Sequence, residues 1–287
     1  MLFLRYSRDW KYNFSAAVKE VCGASLHARG RTILIVPEPS SYEAEVALCR
    51  EGGDAISRRA EVLSFTRLAS RVFSVEGGAA VPTLDQSGRL IAMAGALELL
   101  RPKLKLYGGS ITKPEFLRQL LRVVDEFHSY GLNYKSAREA MEELSGPLAE
   151  KLSELLLICE LYDAVCADAR QDPSTRLTRL RDALCDGSFA DHAYVVVEGF
   201  SDFTEQELEV LAALTERAEQ VTVYLTLDSP DGGQTVFATP RTTASRLRRL
   251  AKSRNVPSTA YRVVPPVSDS PLDRVAEQLF APKLNVW

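Results

Sequence analysis

Glycine is missing from the one place where this 287-residue chain would most need it. The stretch "LRYSRDWKYNF", Leu4 to Phe14, stands where an α/β protein puts its first strand, first turn and first helix, and it contains none. A phosphate-binding loop there reads G-x-x-x-x-G-K-[ST], because its backbone must curl tightly around the phosphates and glycine does so without strain. Metal-ligating patterns are missing too. The three histidines (His27, His128, His192) are far apart, and the five cysteines (Cys22, Cys49, Cys159, Cys166, Cys185) include no C-x-x-C pair. That argues against a zinc site and a disulfide framework. Scattered thiols fit a reducing cytoplasm, where they serve as small buried hydrophobes. No apolar run approaches the roughly 20 residues of a membrane span, and the N-terminus lacks a basic-then-apolar leader, so no membrane partner is expected. Bulk positive charge is also lacking: 35 Lys and Arg against 38 Asp and Glu leave a net charge of −3. Any nucleic-acid binding must come from local patches.

What is there alternates. "LFLRY" (Leu2 to Tyr6), "TILIVP" (Thr32 to Pro37) and "AEVLSF" (Ala60 to Phe65) are short apolar stretches, each followed by a segment of helical period. Such alternation argues for βαβ units and a parallel sheet covered on both faces. From about Gln86 to Leu184 apolar residues recur at spacings of three and four only, predicting a block of pure helix. The strand pattern returns with "AYVVVEGF" (Ala193 to Phe200) and "QVTVYLTLD" (Gln220 to Asp228). A turn "SPDGGQ", a short strand "TVFA", a basic helix "TTASRLRRLAKSR", a strand "AYRVVPP" and a short helix "PLDRVAEQLFA" follow. The expected organisation is one α/β lobe in two parts, residues 1–82 and 191–287, interrupted by a helical insertion over 83–190.

Parallel sheets bind ligands outside the carboxyl ends of their strands. Aligning Lys11 with a phosphate-loop lysine puts Arg5 at the first glycine, Trp10 at the second and Tyr12 at the hydroxyl that would hold magnesium. A tryptophan beside the lysine fills the space of the β-phosphate; the plain alternative is a surface lysine. Glu198 ends an apolar strand, as a magnesium-holding carboxylate does, but Gly199 stands where a water-activating acid would follow. Asp202 or Thr204 ahead of Glu205 and Glu207 reads as an acidic helix start. Ser40 and Ser41 in "VPEPSSYEAE" suit either helix capping or phosphate contact. Phe65 with Arg67 reads as a stacking and clamping pair for single-stranded nucleic acid, or as a buried ring beside a solvated arginine. Arg241, Arg246, Arg248, Arg249, Lys252 and Arg254, with no acid among them, form either a phosphate-steering face or a solvated one.

Four segments in order, "IVPEPSSYEAE", "VLSFTRLASRVF", "VVVEGFSDFTEQELEVL" and "VTVYLTLD", followed by "VFATPRTTASRLRRLA", resemble the N-terminal helicase-like region of the AddB family, the second subunits of bacterial AddAB helicase–nucleases. The resemblance covers essentially the whole chain. It implies a RecA-like, P-loop NTPase type lobe of superfamily 1 helicases, with the helical block as a 1B-type insertion in lobe 1A. It also implies an AddA-like partner and work on double-strand DNA ends in repair. By this resemblance the strand-facing positions are Ser40, Ser41, Phe65 and Arg67, with Phe200 and Phe203 as aromatic candidates and Arg246 and Arg249 on the basic helix.

The departures matter as well. Family members often keep a G-R-x-G-S-G-K-[ST] loop, of which only Lys11 stands here; Pro39 replaces a usual glutamine, Ser70 a common tryptophan, and Glu198 an aspartate. Complete family members continue into a second helicase lobe and a nuclease domain with iron–sulfur cysteines, so an end at "FAPKLNVW" reads as a fragment. The expectation is therefore a non-catalytic, DNA-binding and partner-binding module. No cofactor is expected, ATP and magnesium entering only if the unusual loop works. The alternatives are an active ATPase lobe with an atypical site and a pure protein–protein adaptor.

Overall fold

A computed structural model describes residues 1–264 of the chain apart from 111, 112, 143 and 170. The expected helix "PLDRVAEQLFA" and the end of the chain lie outside the described residues. The elements follow in the order β1 (Leu2–Ser7), α1 (Trp10–Ser25), β2 (Thr32–Ile35), α2 (Ser41–Gly52), β3 (Ala60–Leu63) and α3 (Phe65–Glu76). Five helices come next: α4 (Gln86–Leu100), α5 (Pro114–Ser129), α6 (Tyr134–Met141), α7 (Pro147–Ala169) and α8 (Arg176–Asp186). The chain then forms β4 (Tyr194–Val197), α9 (Glu205–Arg217), β5 (Gln220–Thr226), α10 (Ala238–Ser253) and β6 (Ser258–Arg262).

Among the described residues six strands join one sheet in the order β3-β2-β4-β5-β1-β6, and every pairing there is parallel. Composition explains why. Ile33, Leu34 and Ile35 of β2 and Val195, Val196 and Val197 of β4 are all buried, so successive side chains, which point to opposite faces, both meet apolar cover. On one face Ala17, Val18 and Val21 of α1 and Ala44 and Leu48 of α2 pack with Leu34, Val62, Val196 and Tyr224. The fold class is thus α/β with a parallel sheet, as the alternating pattern implied.

The helical segments have a core of their own. Met93 and Leu97 of α4, Leu120 and Val124 of α5, and Ile158 and Tyr162 of α7 are fully or nearly fully buried together. Their three- and four-residue spacings put them on single stripes of each helix. Capping sets the starts: Asp85 accepts the Gly88 N–H at 2.7 Å, and Asn133 accepts those of Lys135 and Ser136. Two compact units result. The sheet unit takes Met1–Glu76, Leu180–Phe203 and the described chain from Glu207 on; the helical unit takes Gly77–Arg179 with Thr204–Gln206.

One expected element is different. "TVFA" is a tight 3-10 turn, Thr235–Phe237, that leads straight into α10. The reason lies upstream: the Asp228 carboxylate accepts the Gln234 N–H at 2.7 Å and the Arg241 guanidinium at 2.9 Å, tying the segment back to the end of β5. Gly233 permits that close approach, since a Cβ there would lie 2.0 Å from an Asp228 oxygen.

Candidate functional site

The carboxyl edge of the sheet gathers most of the residues singled out from the sequence. Between β1 and α1 only Arg8 and Asp9 intervene. Arg5 is therefore no loop residue. It lies inside β1, in register with Tyr224, and its guanidinium sits 3.2 Å from the Glu20 carboxylate of α1 and 5.8 Å from the Tyr224 ring. Glu20 also accepts the hydroxyls of Tyr224 at 2.7 Å and Thr222 at 2.8 Å, and the amide of Gln220 at 2.9 Å. Burial, then the Glu20 charge and hydrogen bond, push the Tyr224 hydroxyl well above its ordinary pKa. Glu20→Ala is expected to cost about 2 kcal/mol in urea unfolding, because it strands Arg5 and three donors at once; a loss near zero would show the cluster to be solvated.

The start of α1 is where a bound phosphate would meet free N–H groups and a helix dipole. Asp9 occupies that position: its extended backbone and carboxylate cap the helix, accepting the Tyr12 N–H at 3.1 Å, while its own N–H goes to Ser7 Oγ. Lys11 lies on the first turn with its ammonium 5.7 Å from the Trp10 ring centroid, and the Trp10 side chain is exposed. The chain itself thus supplies the negative charge that a phosphate loop would reserve for its ligand.

Beside this turn opens a cleft of about 300 Å³, with Trp10, Ser40, Glu43, Glu198, Phe200 and Tyr224 among its walls. Among the described residues no lysine or arginine lines it. Glu198 follows directly on β4 and is 7% exposed. Burial raises its pKa most, the Gly199 N–H opposes this, and the Glu43 charge adds to it, carrying the carboxyl to about 7. Gly199 turns the chain away at φ 87°, where a side chain would press Pro37.

Three aromatic candidates meet. Phe65 and Phe200 are edge to face at 5.5 Å, Phe65 and Phe203 likewise at 6.3 Å, and Phe200 stacks on Phe203 at 5.1 Å. Phe65 does not end its strand; it opens α3, two residues beyond the end of β3, because the intervening Ser64 turns the chain by bonding the Glu38 carboxylate and capping the Arg67 N–H. Phe65 and Phe203 are buried, whereas Phe200 is half-buried and lines the cleft. Arg67 pairs with Glu45 at 2.9 Å on the surface. Ser40 precedes α2 without a side-chain cap bond, and the Ser41 hydroxyl is buried without a partner among the described residues.

The basic helix α10 is less basic in space than in sequence. Arg241 pairs with Asp228, Arg246 with Asp202 at 3.0 Å, Arg248 with Asp231 at 2.6 Å, and Arg254 with Glu209 and Glu216. Arg249 is exposed. The neutralising acids come from three other segments, so no window of sequence contains them. A second gathering of cations is absent from the sequence reading: "ARGR" (Ala28 to Arg31) and "SRR" (Ser57 to Arg59) each stand just before a strand, and β2 and β3 are neighbours. Two short basic clusters ahead of consecutive strands are the signal that could have found it.

A family model described as ADDB, N-terminal matches residues 16–274. The chain is similar to the B subunit of an ATP-dependent helicase/deoxyribonuclease in Moorella thermoacetica, 34% identical over 235 residues, covering 78% of this chain and 20% of the relative. It is also similar to the counterpart of the same name in Desulforudis audaxviator, 34% identical over 232 residues with the same coverage, and to that in Acetivibrio thermocellus, 27% identical over 230 residues and again with the same coverage. The chain spans about a fifth of the length of these curated relatives. No helix among the described residues is long and apolar enough to cross a membrane.

Proposed function

The chain belongs to the AddB N-terminal family, and from that premise we propose that it is a helicase-like module that holds single-stranded DNA and a partner subunit without turning over nucleotide. In this reading the sheet unit is a RecA-like lobe of superfamily 1 type and the helical unit is its insertion. The partner is an AddA-like helicase–nuclease subunit, and the complex works on double-strand DNA ends. The observation that carries the reading is the start of α1. A two-residue turn capped by Asp9, beside a cleft that shows Glu43 and Glu198 and, among the described residues, no cation, supports the loss of phosphate binding. The fused aromatic cluster supports a stacking role for Phe200, its one ring open to the cleft.

Calorimetric titration with ATP and magnesium tests the first half: no saturable heat is expected. Micromolar, magnesium-dependent binding abolished by Lys11→Ala would overturn it. Fluorescence anisotropy with a labelled oligo(dT) tests the second. Phe200→Ala is expected to weaken binding about tenfold, the scale of one lost base–aromatic stack. Equal affinities for the two proteins would remove Phe200 from the DNA path.

A further inference from the structure

We propose that the amino ends of β2, β3 and β4 carry a second DNA contact, a groove that holds the phosphate backbone of duplex DNA. This goes beyond the single-strand reading above and uses none of its residues. The groove encloses about 780 Å³ and is lined by Arg29, Arg31, Arg58, Arg59 and Arg71. Sheet order makes it. Thr32 of β2 is in register with Ala60 of β3, so Arg31 and Arg59, each one residue earlier, enter adjacent strands side by side about 4.8 Å apart. Gly30 lets this turn press against the chain entering β4: a Cβ there would lie 2.5 Å from the His192 carbonyl oxygen.

The charges in the groove do not balance. Among the described residues its acids are Glu61 and Asp191. Glu61 is shared by Arg31 at 3.2 Å and by Arg71 through two bonds, at 2.8 and 3.3 Å, and Asp191 faces Arg217 at 3.6 Å. Arg31 is further fixed over the buried Phe189 ring at 4.4 Å. Arg29, Arg58 and Arg59 are exposed and pair with no acid among the described residues. Two arginines are therefore oriented by the protein and three are left to an anion. Guanidinium forks match phosphate oxygens two at a time.

The lining also selects among anionic partners. Among the described residues, beyond Ala28 and Val75 its apolar side chain is Phe189, which is buried under Arg31, so these residues form no apolar centre such as a protein partner needs. Nucleic-acid interfaces are polar and positive instead. Nor do the described residues of the groove offer an exposed ring on which unpaired bases stack, the usual requirement of a single strand. A duplex has its bases already stacked and presents backbone alone.

The test uses the full chain with Arg29, Arg58 and Arg59 replaced together by alanine. Anisotropy is measured on a labelled 20-base-pair duplex and on oligo(dT) over a series of salt concentrations. Loss of three phosphate contacts should lower duplex affinity about tenfold or more at low salt and reduce the log–log salt slope by about 2 to 3. Oligo(dT) binding and the melting temperature should stay as in the unaltered chain. Unchanged duplex affinity and slope would overturn the proposal. So would polyglutamate of matched charge competing as well as duplex, or parallel loss of oligo(dT) binding, which would make the two surfaces one. Failure of Phe200→Ala to affect oligo(dT) bears on the cleft and leaves the groove standing.

Discussion

Asp172→Ala is expected to lower the unfolding free energy of the chain by about 3 kcal/mol, with about 5 kcal/mol as the upper end for removing one partner of a buried ion pair. Asp172 is 2% exposed. One of its oxygens takes the Arg89 Nε at 2.8 Å and the Tyr162 hydroxyl; the other takes the Ser174 N–H at 2.7 Å and the Ser174 hydroxyl. Arg89 is itself nearly buried and reaches Asp125 with its other arm at 2.5 Å. Deleting the carboxylate leaves a guanidinium and two hydroxyls without their common acceptor, and the surviving Asp125 pair keeps the loss near the lower figure. Burial alone would raise the Asp172 pKa, but the bonds from Ser174 and Tyr162 and the Arg89 charge outweigh it and hold the carboxyl below its ordinary 3.8. Its contribution is thus complete above about pH 4 and is lost as pH falls through the lower folded-state value. Urea unfolding followed by circular dichroism should show unaltered and Asp172→Ala proteins far apart at pH 7 and converging in acid. Equal stability at pH 7 would mean that the site is wet.

That network illustrates what the sequence could and could not disclose. Asp172 caps the turn Pro173–Thr175 through the Ser174 N–H, only two residues away. Arg89 is 83 residues away, and nothing in either segment names the other. The same division runs through the sheet unit. "TILIVP" and "AYVVVEGF" read as strands because consecutive buried aliphatics require cover on both faces. The strand order that brings Arg31 beside Arg59 is a property of the whole chain. Arg5 falls in a strand and not in a loop for the same reason: an alignment to a loop pattern counts residues, whereas β1 runs on to Ser7 because its neighbour β5 pairs that far. The place of Glu198 at the carboxyl end of β4 was legible, since it closes a run of apolar residues. Its protonation was not, because that depends on Glu43 and on the depth of a cleft built from four segments.

Glu198 should consequently make the protein less stable as pH rises. Its folded-state pKa, about 7, lies above the 4.5 of an ordinary glutamate. Between these values the folded chain keeps a proton that the unfolded chain has released. Stability from this group is complete below about pH 4.5, falls through the interval and levels off above pH 7, a total on the order of 3 kcal/mol. Glu198→Gln keeps the shape and an acceptor for the Gly199 N–H but cannot ionise. It should match the unaltered chain near pH 4.5 and exceed it progressively up to pH 8 in urea midpoints. Asp172 and Asp228, both held below 3.8, titrate outside this window. A gap that does not vary with pH would show Glu198 ionised throughout and the cleft open to water. The profile also reports on the nucleotide question. A carboxylate that held magnesium would be drawn to its charged form by the cation, so adding magnesium and ATP would move the transition to lower pH. With Asp9 already capping α1 and no cation among the described residues of the cleft, the expected profile is the same with and without them.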